Sequence, residues 1–598
     1  MADTPHERHS QLLGLPDELL QSITDYLSPS STVAFGSTCK RCNKITDEAL
    51  VWRRHCEEGW WFWHERHDWR KKLRERPAET EWRQLYKERR RIDFETEKLF
   101  EALLNTQQHR LQRIETIANH GDDVRELLLV HQDETPDDAP DVLARRHFAN
   151  AILGRMNRKL ALEKWSRLQR QEMVSLEEVL GSFDLFAMSG KSARLNDIAK
   201  EFDYLAREIR EEDPKFNDLS IRARAIRVAE YLRKKGLVGN SALETVDYHA
   251  LRNNYISMAL FVPPHTSLPL QTAAIYCAVA RRLGVNAKPS NYPQHVHVVV
   301  EAPRDATLDG KPKLPDSAGE LEIMHLDPWN TNEEIPEQQL RQRLLLMGAP
   351  SHLLHQHLGA ATIIEIVQRT ARNIMNSVQE ARRSEPQPGD NDDEHPEREA
   401  AWYSMLWALM VLGGANALQQ RRHCLPYLQR HVQQYNPEDL GLIQDFVIPM
   451  FADKDLRDLE DLSRYIAAVR AADRNLPPPS PRDSDATRAV RYEVGTAFLH
   501  KRYGYAGIVI GWDAQCAAEQ DWIRDMRVDS LPRGRTQPFY NVLADDNSIR
   551  YVAEENIYIS PAGKPPPSLL RMAGRWFKRW DEGEGKFVSN IVEEYPDD

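Results

Sequence analysis

The spacing of apolar residues changes several times along this chain, and each change marks a segment. From Leu15 to Cys56, Leu19, Leu20, Ile23 and Leu27 recur at helical spacing behind Pro16. A proline there suits a helix's first turn, where its missing N–H is not needed. Pro29 reads as the stop, Ser30 and Ser31 as caps for a second helix carrying Val33 and Phe35, and a third helix runs from about Asp47 through Ala49, Leu50 and Trp52. Three helices this short expose more apolar surface than they can bury among themselves, so one face is expected to meet a partner.

Residues 57–165 read as a helical connector. Trp60, Trp61, Trp63, Trp69 and Trp82 crowd its start and are expected to brace the preceding helices. Arg and Lys are dense from Arg66 to Arg91, but the interleaved Asp and Glu weaken the field that RNA binding would need. Over residues 166–382 helical stripes come first: Leu195, Ile198, Phe202 and Leu205, then Ile221, Ala225, Val228, Ala229 and Leu232, then a helix from Leu270 to Leu283. β-Branched runs follow at His295–Val300 and Met324–Trp329. Helices before strands predict an α+β centre. Residues 383–400 are Pro-rich and acidic, a flexible connector, and 401–473 a helical packing segment. Residues 474–487 form a stiff Pro-rich linker. Residues 488–562 carry short strands punctuated by Gly495, Gly504, Gly507 and Gly511, the pattern of a small β-barrel. The tail, 563–598, holds Trp576, Phe577 and Trp580, which either dock on the barrel or form a binding segment; residues 1–14 read as a disordered leader.

A length of 598 residues suggests three or more domains. The net charge of −12 and pI near 6.0 argue against wholesale binding to nucleic acid or anionic membranes. Six cysteines without a framework spacing fit a reducing compartment, and Cys39-x-x-Cys42 lacks the second pair a zinc site requires. No apolar run reaches membrane-spanning length. A cytoplasmic or nuclear protein with no cofactor and no metal is the expectation.

Three resemblances add to this reading. Leu15-Pro16-Asp17-Glu18-Leu19-Leu20, Cys39-Lys40-Arg41 and Val51-Trp52 resemble an F-box, and Trp82 to Tyr86 resembles the Trp-x-x-Leu-Tyr tail that often follows one. That resemblance implies docking onto the Skp adaptor of a cullin-based (SCF) ubiquitin ligase. Leu15, Pro16, Leu19, Leu20, Ile23 and Trp52 are the residues expected to form the F-box core and the adaptor face. Ala280-Arg281-Arg282-Leu283-Gly284-Val285, Asn291-Tyr292-Pro293-Gln294-His295 and Leu326-Asp327-Pro328-Trp329-Asn330 resemble the transglutaminase-like core of the SirB family. Active members of that fold carry a Cys at a helix start, a His on one strand and an Asp on the next. The helix N-terminus favours the thiolate, the imidazole takes its proton and the carboxylate fixes the tautomer. Here the Cys position falls at about Pro269, and Cys277 lies about two turns further along the helix. Ser267 or Thr272 is the alternative, a hydroxyl nucleophile for His295, but a hydroxyl needs stronger activation than a thiol. His295 and Asp327 are therefore vestigial candidates, and the core reads as a pseudo-enzyme used for binding.

His500-Lys501-Arg502-Tyr503-Gly504-Tyr505-Ala506-Gly507, Gln537-Pro538-Phe539-Tyr540-Asn541-Val542-Leu543 and Tyr551-Val552-Ala553-Glu554-Glu555-Asn556 resemble the YccV-like (HspQ) family of hemimethylated-DNA-binding type. Lys501, Arg502, Arg533 and Arg535 are the candidates for DNA contact. Neighbouring carboxylates favour protein over DNA as the ligand.

The order of the three segments resembles the F-box only protein twenty-one type. The expected fold is multidomain and mainly α, with an N-terminal three-helix F-box, a transglutaminase-like α+β core and a C-terminal small β-barrel. The expected role is a non-catalytic substrate receptor of an SCF ubiquitin ligase, with the Skp adaptor, the cullin ligase and an unidentified protein target as partners. A residual amide hydrolase or transamidase using His295 and Asp327, and a DNA-binding regulator acting through the YccV-like domain, are the alternatives.

Overall fold

Pro29 begins a helix rather than ending one. Ser28 caps it, accepting the Ser31 N–H at 3.2 Å, and Pro29 takes the first helical position. A further helix starts at Lys40, where the Cys39 sulfur accepts the Cys42 N–H at 3.4 Å. The F-box stretch is thus four helices in place of the three expected: α1 Asp17–Thr24, α2 Pro29–Gly36, α3 Lys40–Thr46 and α4 Ala49–Gly59. Gly36 lets α2 close on α3, since a Cβ there would stand 2.3 Å from Thr46 Oγ1. Trp52 Nε1 donates to Thr46 O at 2.7 Å, and buried His55 pairs with Thr32 at 3.0 Å, tying α4 to both.

The computed structural model describes residues 14–188, 195–239, 248–313, 321–383, 396–413, 417–451, 456–559 and 565–598. The leader expected at 1–14, apart from Gly14, and most of the connector expected at 383–400 lie outside the described residues. The chain divides into two units, one of Met1–Leu153 with Ala467–Asp598 and one of Gly154–Ile466.

In the first unit a helix at Trp82–Asn105 packs against α4 through Trp52, Cys56, Trp60, Trp63, Trp82 and Leu85, with Trp69 and Tyr86 alongside. Fully buried Arg89 sits 4.9 Å from the Trp60 ring centroid and 4.6 Å from that of Trp63. Its guanidinium donates to Phe62 O and Asp123 O, both at 2.7 Å. Four of the five early tryptophans therefore brace the F-box, while Trp61 turns outward and is 86% exposed.

The second unit supplies the transglutaminase-like part. Helices Leu176–Ala187, Leu195–Glu212, Ile221–Lys234 and Pro269–Arg282 precede a four-stranded antiparallel meander. Its strands are β1 Asn286–Pro289, β2 Val298–Glu301, β3 Ile323–Leu326 and β4 Glu334–Ile335, in the order β1-β2-β3-β4. Pro269–Arg282 is buried from Pro269 through Ala280, the central helix of the unit. Helices Ile363–Arg383 and Arg398–Val411 follow the sheet.

The C-terminal sheet belongs to the first unit. β5 Ala497–His500, β6 Ala506–Asp513, β7 Phe539–Ala544, β8 Ile549–Ala553 and β9 Ile557–Tyr558 pair antiparallel in the order β8-β7-β6-β5-β9. A hairpin of β10 Phe577–Asp581 and β11 Lys586–Ser589 lies against it, and Phe577, Phe587, Ile591 and Tyr595 enter the same apolar cluster as Phe498, Ile508 and Trp512. Of the two fates open for the tail, docking is the one observed. The Pro-rich segment is held too: Arg482 donates to Val490 O at 2.6 Å and to Asp598 Oδ1 at 2.5 Å, and Trp512 Nε1 donates to Asp598 Oδ2 at 2.8 Å. Glu593 accepts from Thr106 Oγ1 and the Gln107 N–H, both at 2.7 Å, which ties the tail to the end of the Trp82–Asn105 helix.

Candidate functional site

The adaptor-face candidates separate by environment. Leu20 and Trp52 are buried, Leu15 and Ile23 half-buried, and Pro16 and Leu19 exposed. Leu19 is 50% exposed, Val33 on α2 is 49% exposed and Leu50 on α4 is 63% exposed. Large apolar side chains from three helices are thus left in solvent, while the other side of α4 is taken up by the connector. Trp52 stacks at a tilt on Tyr86, with centroids 5.3 Å apart, and the Arg83 guanidinium covers it at 5.4 Å. The sequence pattern places Val33 and Leu50 on helices without assigning them to the adaptor face. The signal for Leu50 was there: Leu50, Val51 and Trp52 are consecutive, and three successive residues cannot share one inward helix face. Arg41 holds the start of α1, donating to Asp17 Oδ1 at 2.7 Å and to Leu15 O at 2.6 Å.

In the second unit the His295 and Asp327 side chains meet. His295 Nε2 lies 2.9 Å from Asp327 Oδ2, off the line of a well-formed hydrogen bond. The His295 side chain is 33% exposed and that of Asp327 9%. Burial pushes the Asp327 carboxyl upward, but His295 and the Asn330 amide, at 2.7 Å, outweigh it and hold the group below the usual carboxylate range. The Trp329 indole stands edge-on to His295, 5.6 Å between centroids, and donates to Ser267 O at 3.0 Å. Beneath these, His297 bonds Ser290 Oγ at 3.1 Å and His325 Nδ1 at 3.1 Å. Burial, then the neighbouring His325, push His297 down to about 3, so it is uncharged at neutral pH, and burial lowers His325 as well.

The nucleophile candidates stand differently. Pro269 occupies the first position of the Pro269–Arg282 helix. Cys277 is fully buried two turns further on, and burial pushes its thiol well above the usual range. Ser267 and Thr272 spend their hydroxyls on each other, at 2.8 Å, and both are buried. Gly239 lies directly over them: at φ +81 it adopts a left-handed conformation, and a Cβ there would come within 2.5 Å of Thr272 Oγ1.

The C-terminal strands form an open five-stranded sheet with a hairpin against it rather than the closed barrel expected, and two of the four candidate DNA contacts there are paired with carboxylates. Arg533 pairs with Glu554 at 2.7 Å, and Arg535 takes both oxygens of Asp529, at 2.7 and 2.6 Å. Lys501 Nζ donates to Glu555 O at 2.6 Å, and Arg502 lies 5.3 Å over the Tyr503 ring. Cations already paired with carboxylates release few counterions on meeting phosphate. Among the described residues no His, Cys, Asp and Glu side chains cluster to hold a metal, and no helix is long and apolar enough to cross a membrane.

Three family models match this chain: F-box-like over residues 12–58, the transglutaminase-like superfamily over 196–372, and hemimethylated DNA-binding protein YccV like over 490–584. The last extends past β10, in keeping with the docked hairpin. Among curated relatives, F-box only protein 21 of Mus musculus is 26% identical over 365 residues, covering 59% of this chain and 52% of the relative. F-box only protein 21 of Homo sapiens is 25% identical over 365 residues, with the same shares covered. The chain therefore spans about half the length of the curated relatives it matches. No solved structure matches.

Proposed function

We propose that this chain is a substrate-receptor subunit of an SCF-type cullin ubiquitin ligase. The F-box helices hold the Skp adaptor, and the downstream domains present a protein target. The observation that carries this reading is the exposed apolar set Leu19, Val33 and Leu50 on three of the F-box helices, of which α4 has its other side packed by the chain's own connector. The relatives of the F-box only type support it. Leu15, Pro16 and Ile23, exposed or half-buried on the same segment, join that face in this reading, while buried Leu20 and Trp52 keep its helices in place.

The transglutaminase-like part serves as a binding scaffold in this reading, not as a catalyst. Pro at the helix start, the buried and raised Cys277 thiol, and the sealed Ser267–Thr272 pair leave His295 without a nucleophile to activate. The C-terminal domain binds protein rather than duplex DNA in this reading, since Arg533 and Arg535 are already paired with carboxylates. Ubiquitin transfer belongs to the assembled ligase.

The test is reconstitution with purified Skp adaptor. Wild-type chain co-elutes with it on size exclusion, and a Leu19→Asp, Leu50→Asp double variant does not. Co-elution that survives both substitutions would reject the receptor reading.

A further inference from the structure

Between Gln84 and Asn105, the residues of the Trp82–Asn105 helix that stand in solvent are Lys87, Arg90, Arg91, Phe94 and Lys98. At 3.6 residues per turn these five fall within one arc of about 100°. Phe94 is 73% exposed at the middle of an otherwise cationic face. Of the helix's acidic residues, Glu101 falls inside this arc but is paired with Arg145 at 2.8 Å; outside it, Asp93 accepts from Trp60 Nε1 at 3.0 Å and Glu97 pairs with His131 at 3.0 Å, while Glu88 and Glu95 lie beyond the Arg91 edge. Arg91 shares Glu95 at 2.8 Å and Arg90 reaches Asp93 only at 3.7 Å. Among the described residues no carboxylate lies within ion-pair distance of Lys87 or Lys98.

Two more exposed apolar residues, Trp61 and Val130, each adjoin a residue that bonds this helix: Trp60 gives its Nε1 to Asp93 and His131 pairs with Glu97. Trp61, 86% exposed, gives its N–H to Glu126 at 3.1 Å. Val130, 42% exposed, lies four residues after Glu126 and so on the same side of that segment. The Glu97–His131 pair sets that segment beside the Trp82–Asn105 helix. Exposed aromatic residues grouped with a cationic rim are the anchors of a recognition surface.

We propose that this face docks a short acidic segment of a partner protein, with a large apolar side chain of the segment packed on Phe94 and Trp61 and its carboxylates on Lys87, Arg91 and Lys98. Charge complementarity selects the occupant. A nucleic acid strand is the poorer fit, because the whole chain carries −12 and repels a long polyanion, whereas a short segment meets only the local face. The surface is separate from the F-box face and does not rest on the receptor reading.

The experiment is fluorescence anisotropy with the full chain and a labelled peptide of about twelve residues, long enough to follow the roughly 16 Å from Lys87 to Lys98 as a helix, built of Glu with interspersed Leu and Phe. Saturable binding that weakens with salt is expected, falling about tenfold or more in Phe94→Ser, in Trp61→Ser and in Lys87→Glu/Lys98→Glu, and preserved in Lys87→Arg/Lys98→Arg. All these positions are exposed, and circular dichroism of each variant verifies the fold. The proposal is overturned if no saturable binding occurs at low salt, or if the variants bind as wild type. It is equally overturned if single-stranded RNA displaces the peptide at lower concentration, or if the chain self-associates through this face and Phe94→Ser returns it to monomer.

Discussion

Leu19 and Leu20 are neighbours in sequence and opposites in environment: Leu20 is fully buried and Leu19 is 50% exposed. A charge at the two positions therefore does different things. Leu19→Asp should leave the thermal midpoint within a degree or two of wild type while abolishing adaptor binding. Leu20→Asp should destabilise the F-box helices by roughly 3 kcal/mol or more, because it removes a core side chain and buries an unpaired charge. Circular dichroism melts of the two variants, set beside adaptor binding, separate the roles; equal destabilisation by both would contradict the division of the face.

Arg89 is the second position with a large expected effect. Its guanidinium is fully buried between the Trp60 and Trp63 rings and satisfies the Phe62 and Asp123 carbonyls. Arg89→Ala should cost about 3–5 kcal/mol in denaturant unfolding of this unit, since buried Asp123 loses a neighbouring charge and two carbonyls lose their donor. Arg89→Lys should restore little of it, because an ammonium cannot reach both carbonyls in the fork that guanidinium provides.

Asp184 makes the second unit sensitive to pH. It is fully buried, accepts from the Ser257 N–H at 3.0 Å and from the Ser257 hydroxyl, and burial raises its pKa from 3.8 to about 7. The folded state thus holds a proton that the unfolded chain has lost between these values. The sign follows: this contribution is fully present below about pH 4 and is lost as pH rises toward about 7. In Asp184→Asn the contribution becomes constant. The midpoint difference between variant and wild type should therefore shift in the variant's favour from pH 4.5 to 7.5 and level off above; a pH-independent difference would place the proton elsewhere.

Thiol labelling tests the scaffold reading of the core. Burial raises Cys277 well above the usual range and Cys56 to about 12, while Cys39 and Cys516 are only half-buried. Iodoacetamide at neutral pH should modify Cys39 and Cys516 first and leave Cys56 and Cys277 unmodified until the chain is unfolded, as peptide mass spectrometry would show. Rapid modification of Cys277 in the folded chain would reopen thiol catalysis at His295.

Much of the architecture is legible in the sequence because local signals and long-range packing agree. The stripe Leu195, Ile198, Phe202, Leu205 gives the Leu195–Glu212 helix, and the β-branched run after His295 gives β2. The misreadings have physical causes. Pro29 has two helical meanings, stop or first turn, and only the Ser28 cap decides between them. The α3 start was hidden because a cysteine sulfur is an unusual cap. At the core, the family resemblance linked His295 with Asp327, and their side chains stand 2.9 Å apart, yet Gly239 over Ser267 and Thr272 is a contact between distant segments that no local pattern carries. Likewise the pairing of Arg535 with Asp529 depends on a loop's return path, so the sequence showed both charges without showing their neutralisation.

The docked C-terminal hairpin sets the terms on which this protein can be dissected. A fragment ending near residue 562 would lack Phe577, Phe587, Ile591 and Tyr595, and with them the Asp598 carboxylate that receives Trp512 and Arg482. Its newly bared oily patch would stick to other proteins indiscriminately and mimic substrate recognition. Binding experiments on the C-terminal sheet are best done with every residue to Asp598 in place.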